Sequence, residues 1–238
     1  MRRLITGISV LVVLASVLPV QSYQEVEVAD GGTISGKVIY QGAVPTRKVI
    51  PTKDQDVCGG IRDEVRVVVG PDKGVHGAFV YLQDVAQGKA WAQAEDPYEL
   101  NNEDCKFWPH VQVIPVKSEL DIINSDPVLH NTHGFLGRRT VFNVALPDQG
   151  MRIKKRLRRP GIVRVECDAH GWMLSWIYAA ENPYYAVTAA DGTFTLTDVP
   201  PGTYTLVAWQ EFTGPLEMPV TVGEKEVIEL PIELKKAN

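Results

Sequence analysis

The chain has 238 residues, enough to bury a full core and to form one or two domains. Its formal charge is −5, with 29 acidic against 24 basic residues, which argues against general nucleic-acid binding. No Ser/His/Asp set, paired-carboxylate motif or phosphate loop stands out, so the first expectation is a protein that is not itself an enzyme.

Residues 1–22 have the pattern of a secretory signal. Arg2 and Arg3 precede an apolar run over 4–20, and Ser22 with Val20 two before it offers a small-residue cut. The run is short for a full membrane span, and no Cys follows it directly, so a lipid anchor is not indicated. An uncleaved anchor is the alternative. Cleavage implies a periplasmic or secreted protein with no stable membrane span.

After this leader the pattern is one of strands. Residues 33–40 alternate between bounding glycines and predict a strand. Residues 45–60 are polar and predict a loop that holds Cys58. Short strands are predicted at 65–69 and 77–82, with a Pro-Asp-Lys-Gly turn between them at 71–74. Residues 87–104 lack a clean period and predict an irregular connection. Strands follow at 111–116, 119–124 and, more weakly, 140–145. Residues 152–159 are a charge run that alternates in part. Pro160-Gly161 predicts a turn, and 162–166 a strand that ends at a cysteine. A strand is expected at 174–179. Residues 186–196 read as strand, Asp191-Gly192 hairpin turn and strand. A rigid turn and a strand occupy 199–209, and 220–222 and 227–234 close the chain. No stretch after the leader has a long helical period, so the expected class is all-β.

The chemistry gathers at Cys167-Asp168-Ala169-His170-Gly171-Trp172-Met173. A thiolate, an imidazole and a thioether lie within seven residues, one more soft donor than a tetrahedral zinc loop usually has. Two strong ligands and a weak thioether are what a mononuclear blue-copper site takes from one loop, with a second imidazole from elsewhere. Asn124-Ser125-Asp126-Pro127-Val128-Leu129-His130-Asn131 offers it. The candidate set is His130, Cys167 and His170, with Met173 as axial ligand. His133, three residues on, is a competing donor. His110 is expected to be structural and His76 to face solvent.

C-x2-H-x2-M after a strand, with N-x-D-x3-H-N some forty residues earlier, resembles the cupredoxin family. The short ligand loop is closer to that of amicyanins than of plastocyanins, and the resemblance covers about 103–182. It implies a Greek-key sandwich holding one type 1 copper. By position it assigns His130, Cys167, His170 and Met173 as ligands. It gives Asn131 the place of the residue that ties the two ligand loops by hydrogen bonds. It also implies an exposed imidazole edge, at His170, as the port for electrons. With Cys167 taken by the metal motif, Cys58 and Cys105 are the expected disulfide in an oxidising compartment; the alternative is two free, buried thiols.

The segments D-G-x-F-x-L at 191–196 and P-P-G-x-Y-x-L at 200–206 resemble the carboxypeptidase-regulatory-like domain, a transthyretin-like sandwich. Gly32-Thr33-Ile34-Ser35-Gly36-Lys37-Val38 and Gly77-Ala78-Phe79-Val80-Tyr81-Leu82 fit the opening strands of that family, a hundred residues or more before the hairpin. One layout is an insertion: a first part at 30–100, the cupredoxin at 103–182 and a second part at 183–236. The competing layout is tandem, with the transthyretin-like sandwich following a decorated cupredoxin.

The leading functional expectation is an exported blue-copper protein that carries single electrons to or from a c-type cytochrome or periplasmic dehydrogenase. The rivals are a copper-delivery protein without an electron partner, and a binding module with a degenerate metal motif. The basic run of Arg152, Lys154, Lys155, Arg156, Arg158 and Arg159, with Arg138 and Arg139, is either a solvated strand face or a docking patch for an acidic partner.

Overall fold

The computed structural model describes residues 23–94 and 97–236; the expected signal at 1–22 lies outside them. The described chain is nearly all β. Among the described residues the only helical pieces are a four-residue helix, Gln55–Cys58, and a single turn of 3-10 helix, Pro71–Lys73.

The strands pair in two groups. In the outer group, Gly32–Tyr40 is the centre of a three-stranded sheet, antiparallel to Thr193–Val199 and parallel to Val227–Leu234. The facing four-stranded sheet runs Tyr185–Val187, Phe79–Gln83, Gly202–Gln210, Gly214–Val222. Strands before residue 90 thus pair with strands after residue 184. Their apolar alternation supplies a core in which Ile34, Val38, Leu82, Leu206 and Ile232 are wholly buried, each worth roughly 1.5–3 kcal/mol.

The inner group lies between these stretches. Its five-stranded sheet runs Arg139–Leu146, His130–Leu136, Gly161–Glu166, Leu174–Ala180, Val111–Pro115. Its four-stranded sheet runs Arg152–Arg156, Glu119–Asn124, Tyr98–Glu103, Lys106–Trp108. Leu100, Leu120, Ile122, Val165 and Ile177 fill the space between the two sheets. The two groups meet through aromatics. Tyr81 stacks on Tyr178 at 4.1 Å between ring centroids, and Trp209 meets Trp176 edge-on at 4.9 Å.

Several local expectations change. The supposed loop at 45–60 contains the strand Thr46–Val49 and the helix Gln55–Cys58, and the strand expected at 65–69 lies instead at Arg62–Val65, antiparallel to Thr46–Val49. These pieces form an arm that lies against the inner group. The irregular connection at 87–104 contains Gln87–Gly88 and Tyr98–Glu103, the latter parallel to Glu119–Asn124. Polar Asn101, Asn102 and Glu103 hide that strand, because Asn102 is buried and hydrogen-bonded rather than apolar. The Asp191-Gly192 turn does not make a two-stranded hairpin. Its flanking strands go to different sheets, Tyr185–Val187 to Phe79–Gln83 and Thr193–Val199 to Gly32–Tyr40. Gly192 has φ +85, and a Cβ there would run into the Val38 carbonyl oxygen, so the crossing needs glycine.

Cys58 and Cys105 form a disulfide and Cys167 is the free cysteine. The bridge staples the arm to the turn after Tyr98–Glu103. Half of the six-residue basic run, Arg152, Lys154 and Arg156, is answered by neighbouring acids. Arg152 meets Glu99 and Asp121 at 2.6 Å, and Arg156 meets Glu119 at 3.2 Å. That geometry is a solvated ion-pair face across three strands.

Candidate metal centre

His130 opens the strand His130–Leu136, and Cys167 directly follows Gly161–Glu166. The antiparallel register pairs His133 with Glu166, which sets the start of one strand beside the end of the other. The loop after Cys167 is tight: the His170 amide donates to the Cys167 carbonyl at 3.2 Å, and the Met173 amide to the His170 carbonyl at 2.9 Å. This winding turns His170 back toward Cys167.

Three donor atoms converge. His130 Nδ1 and His170 Nδ1 are 3.0 Å apart, and Cys167 Sγ lies 3.8 and 3.7 Å from them. His130 and His170 are fully buried, with Cys167 at 1 % and Met173 at 2 % exposure. A triangle of this size suits one ion at roughly 2.0 Å from each nitrogen and roughly 2.3 Å from the sulfur.

The protonation pattern points the same way. His130 Nε2 is 2.8 Å from Asp126 Oδ2, and His170 Nε2 is 2.9 Å from Asp54 Oδ2. A carboxylate only accepts, so each Nε2 carries a proton and each Nδ1 presents a lone pair to the centre. Two lone pairs and a sulfur facing one another repel unless a cation lies among them. Burial lowers the His130 pKa despite Asp126, which keeps the ring neutral, and burial raises the Cys167 thiol despite the amides that point at it.

Asn131 ties the His130 and Cys167 loops together. Its backbone N–H donates to Cys167 Sγ at 3.3 Å, and its side-chain oxygen accepts from the Asp168 amide at 3.3 Å. His133 is turned away: its Nδ1 is 3.2 Å from both Asp168 oxygens and its Nε2 is 2.9 Å from Thr140 Oγ1. It belongs to none of the donor clusters among the described residues. His110 reaches the Leu174 carbonyl at 3.1 Å, and His76 is exposed.

Sequence reasoning missed two residues. Asp126 holds His130 and also accepts the backbone N–H groups of Asp104 and Cys105, at 2.8 and 2.9 Å. Its position four residues before His130, in the same loop, was a usable signal. Asp54 caps His170 from the arm, 116 residues away in sequence, and nothing in the local sequence marks it. It also corrects an expectation. His170 offers no exposed imidazole edge, because the arm covers the ring and Asp54 occupies its outer nitrogen. The arm is held there by the disulfide and by Arg47, whose Nη2 donates to the Trp172 carbonyl at 2.7 Å and to Glu64 at 2.9 Å.

Residues 161–230 match the family model for polysaccharide lyase family 4, domain II, which is not the family that the C-terminal motifs resemble. No curated protein matches. Among solved structures, the copper-containing nitrite reductase of Thermus scotoductus SA-01 is 23% identical over 39% of this chain, with a TM-score of 0.34, and the match covers only 24% of the reductase. A purple cupredoxin from Nitrosopumilus maritimus is 20% identical over 35% of this chain and 99% of its own, with a TM-score of 0.31. Amicyanin from Paracoccus versutus is 14% identical over 42% of this chain and 97% of its own, with a TM-score of 0.32.

Proposed function

We propose that this chain is a mononuclear copper protein that carries single electrons between redox partners. One observation carries the reading: two imidazoles, each with its outer N–H committed to a carboxylate, present bare Nδ1 atoms to a buried cysteine sulfur. His130, Cys167 and His170 would hold the metal, with Met173 as the weak axial ligand. Copper in such a set supplies a one-electron couple whose two oxidation states need little change of shape. The protein's part is to keep the donors fixed and dry. Strand ends position His130 and Cys167, Asn131 clamps their loops, and the arm covers His170.

Copper delivery is the second reading, and it calls for an open site from which the metal can be handed on. The covered His170 edge favours the carrier. The way out for an electron on this side then passes through the Asp54 contact, whose carboxylate is 38 % exposed, rather than through a bare imidazole. The disulfide and the leader pattern support an exported protein. The strand pairing supports a layout in which the copper-binding sandwich is inserted between the two parts of the outer one.

Cyclic voltammetry of the copper-loaded chain, with stopped-flow mixing against a c-type cytochrome, tests this. A reversible one-electron wave and rapid exchange are expected. Sluggish cycling together with transfer of Cu(I) to an apo-acceptor would replace the carrier with a delivery protein.

A further inference from the structure

A cavity of about 620 Å³ opens between the arm, the inner group and the end of the outer strand Gly202–Gln210. It lies against Trp172 and Met173. Its volume is in the range of small-molecule sites. Its walls combine aromatic surface with guanidinium groups. Phe107, Trp108 and Trp172 supply the rings, and Trp108 is 51 % exposed at the rim. Arg47, Arg62 and Arg66 supply positive charge.

The acids of this cavity are already engaged. Glu64 accepts from Arg47 at 2.9 Å and Arg62 at 2.8 Å, while Glu211 accepts from Trp176 Nε1 at 2.5 Å. The His110 ring lies 3.4 Å from Glu211 as well. The donors are not all engaged. Arg62 Nη2 and Trp172 Nε1 are buried N–H groups without a hydrogen-bond partner, and both residues line this cavity. A buried unsatisfied donor costs about 1–3 kcal/mol, so two beside one cavity call for an acceptor that the protein does not provide. Arg47, Arg62, Arg66 and Lys106 against Glu64 and Glu211 leave two positive charges over.

We propose that this cavity binds a small organic acid with a flat aromatic body, its carboxylate taking the hydrogen bonds of Arg62 and Trp172 and its ring lying among the aromatic walls. Trp172 stands between His170 and Met173, so the occupant touches the loop that carries the metal-binding side chains. Met173, the axial ligand of the proposed copper site, also lines the cavity, whereas His130, Cys167 and His170 do not.

The test is isothermal titration of the metal-free mature chain with 2-naphthoate, and with the neutral 2-naphthalenemethanol for comparison. The acid is expected to bind with Kd below about 1 mM, at least tenfold tighter than the alcohol. Trp172→Phe keeps the bulk and removes one free donor, and should weaken 2-naphthoate at least fivefold while leaving the alcohol unchanged. Val68→Trp adds bulk at the half-exposed wall and should abolish binding of both probes. Thermal denaturation of each variant confirms folding. No binding heat up to several millimolar, equal affinity for acid and alcohol, or undiminished binding in both variants would overturn the proposal.

Discussion

His130 and His170 each give an outer N–H to a carboxylate, but the two carboxylates come from different parts of the molecule. Asp126 lies in the same loop as its histidine and is fixed by two backbone amides and by Asn124, whose Oδ1 accepts from the Asp126 amide at 3.0 Å. Asp54 arrives on an arm from outside the inner sheets, fastened by one disulfide and a few side-chain contacts. One side of the centre is built into the sandwich and the other is closed by an attachment. The His130 side should therefore fail only when the sandwich fails. The His170 side should be separable, which makes the difference measurable.

The largest effect should come from detaching the arm. The Cys58–Cys105 bridge spans a sequence separation of 47, and losing a closed loop of that length costs roughly 4 kcal/mol by chain entropy. The double change Cys58→Ser/Cys105→Ser should lower stability by that order in chemical denaturation, and should also speed copper removal by a chelator. An unchanged removal rate would show that the arm does not guard His170.

Next in size is Asp126→Ala. It strands the Cys105 amide and the His130 Nε2–H in a buried place and the Asp104 amide in a partly buried one, so a loss of about 3 kcal/mol is expected in the same denaturation assay. Asp54→Ala is the matched probe on the other side. It should cost less than about 1 kcal/mol of stability, because Asp54 is partly exposed, yet lower copper affinity 10–100-fold in competition with a chelator. Equal stability losses for the two aspartates would dissolve the contrast.

The smallest effect is one of pH. Burial alone would raise the Glu64 carboxyl, but the hydrogen bonds from Arg47 and Arg62 outweigh it and hold the group below its ordinary value. Its contribution is therefore present above the ordinary glutamate range and is lost as pH falls through the depressed folded value. Below that range the arm should loosen by less than about 1 kcal/mol. Hydrogen exchange at 46–65, compared between neutral and acid pH and against Glu64→Gln, reads this out. Equal acid loosening in wild type and Glu64→Gln would assign it to another group.

Much of the fold was legible because inward-facing apolar residues alternate along most strands, as in 119–124 and 162–166. Residues 98–103 broke that rule. Their inward Asn102 is satisfied by Thr132 and the Ile123 carbonyl, a pairing that exists only after folding. The cluster of His130, Cys167 and His170 could be read from spacing because two of the three side chains share one loop. Asp54 could not be, since the contact depends on a disulfide and a strand pair that position the arm. The exposed imidazole edge was expected for the same reason: the loop motif describes the ligands and says nothing about what covers them.

In the proposed function His130, Cys167 and His170 hold one copper ion. This is tested most directly by the visible absorption spectrum of the Cu(II)-loaded chain beside that of Cys167→Ser. An intense blue or green thiolate-to-copper band is expected at one copper per chain, absent from the variant. A colourless wild type, or a band that survives Cys167→Ser, would contradict it.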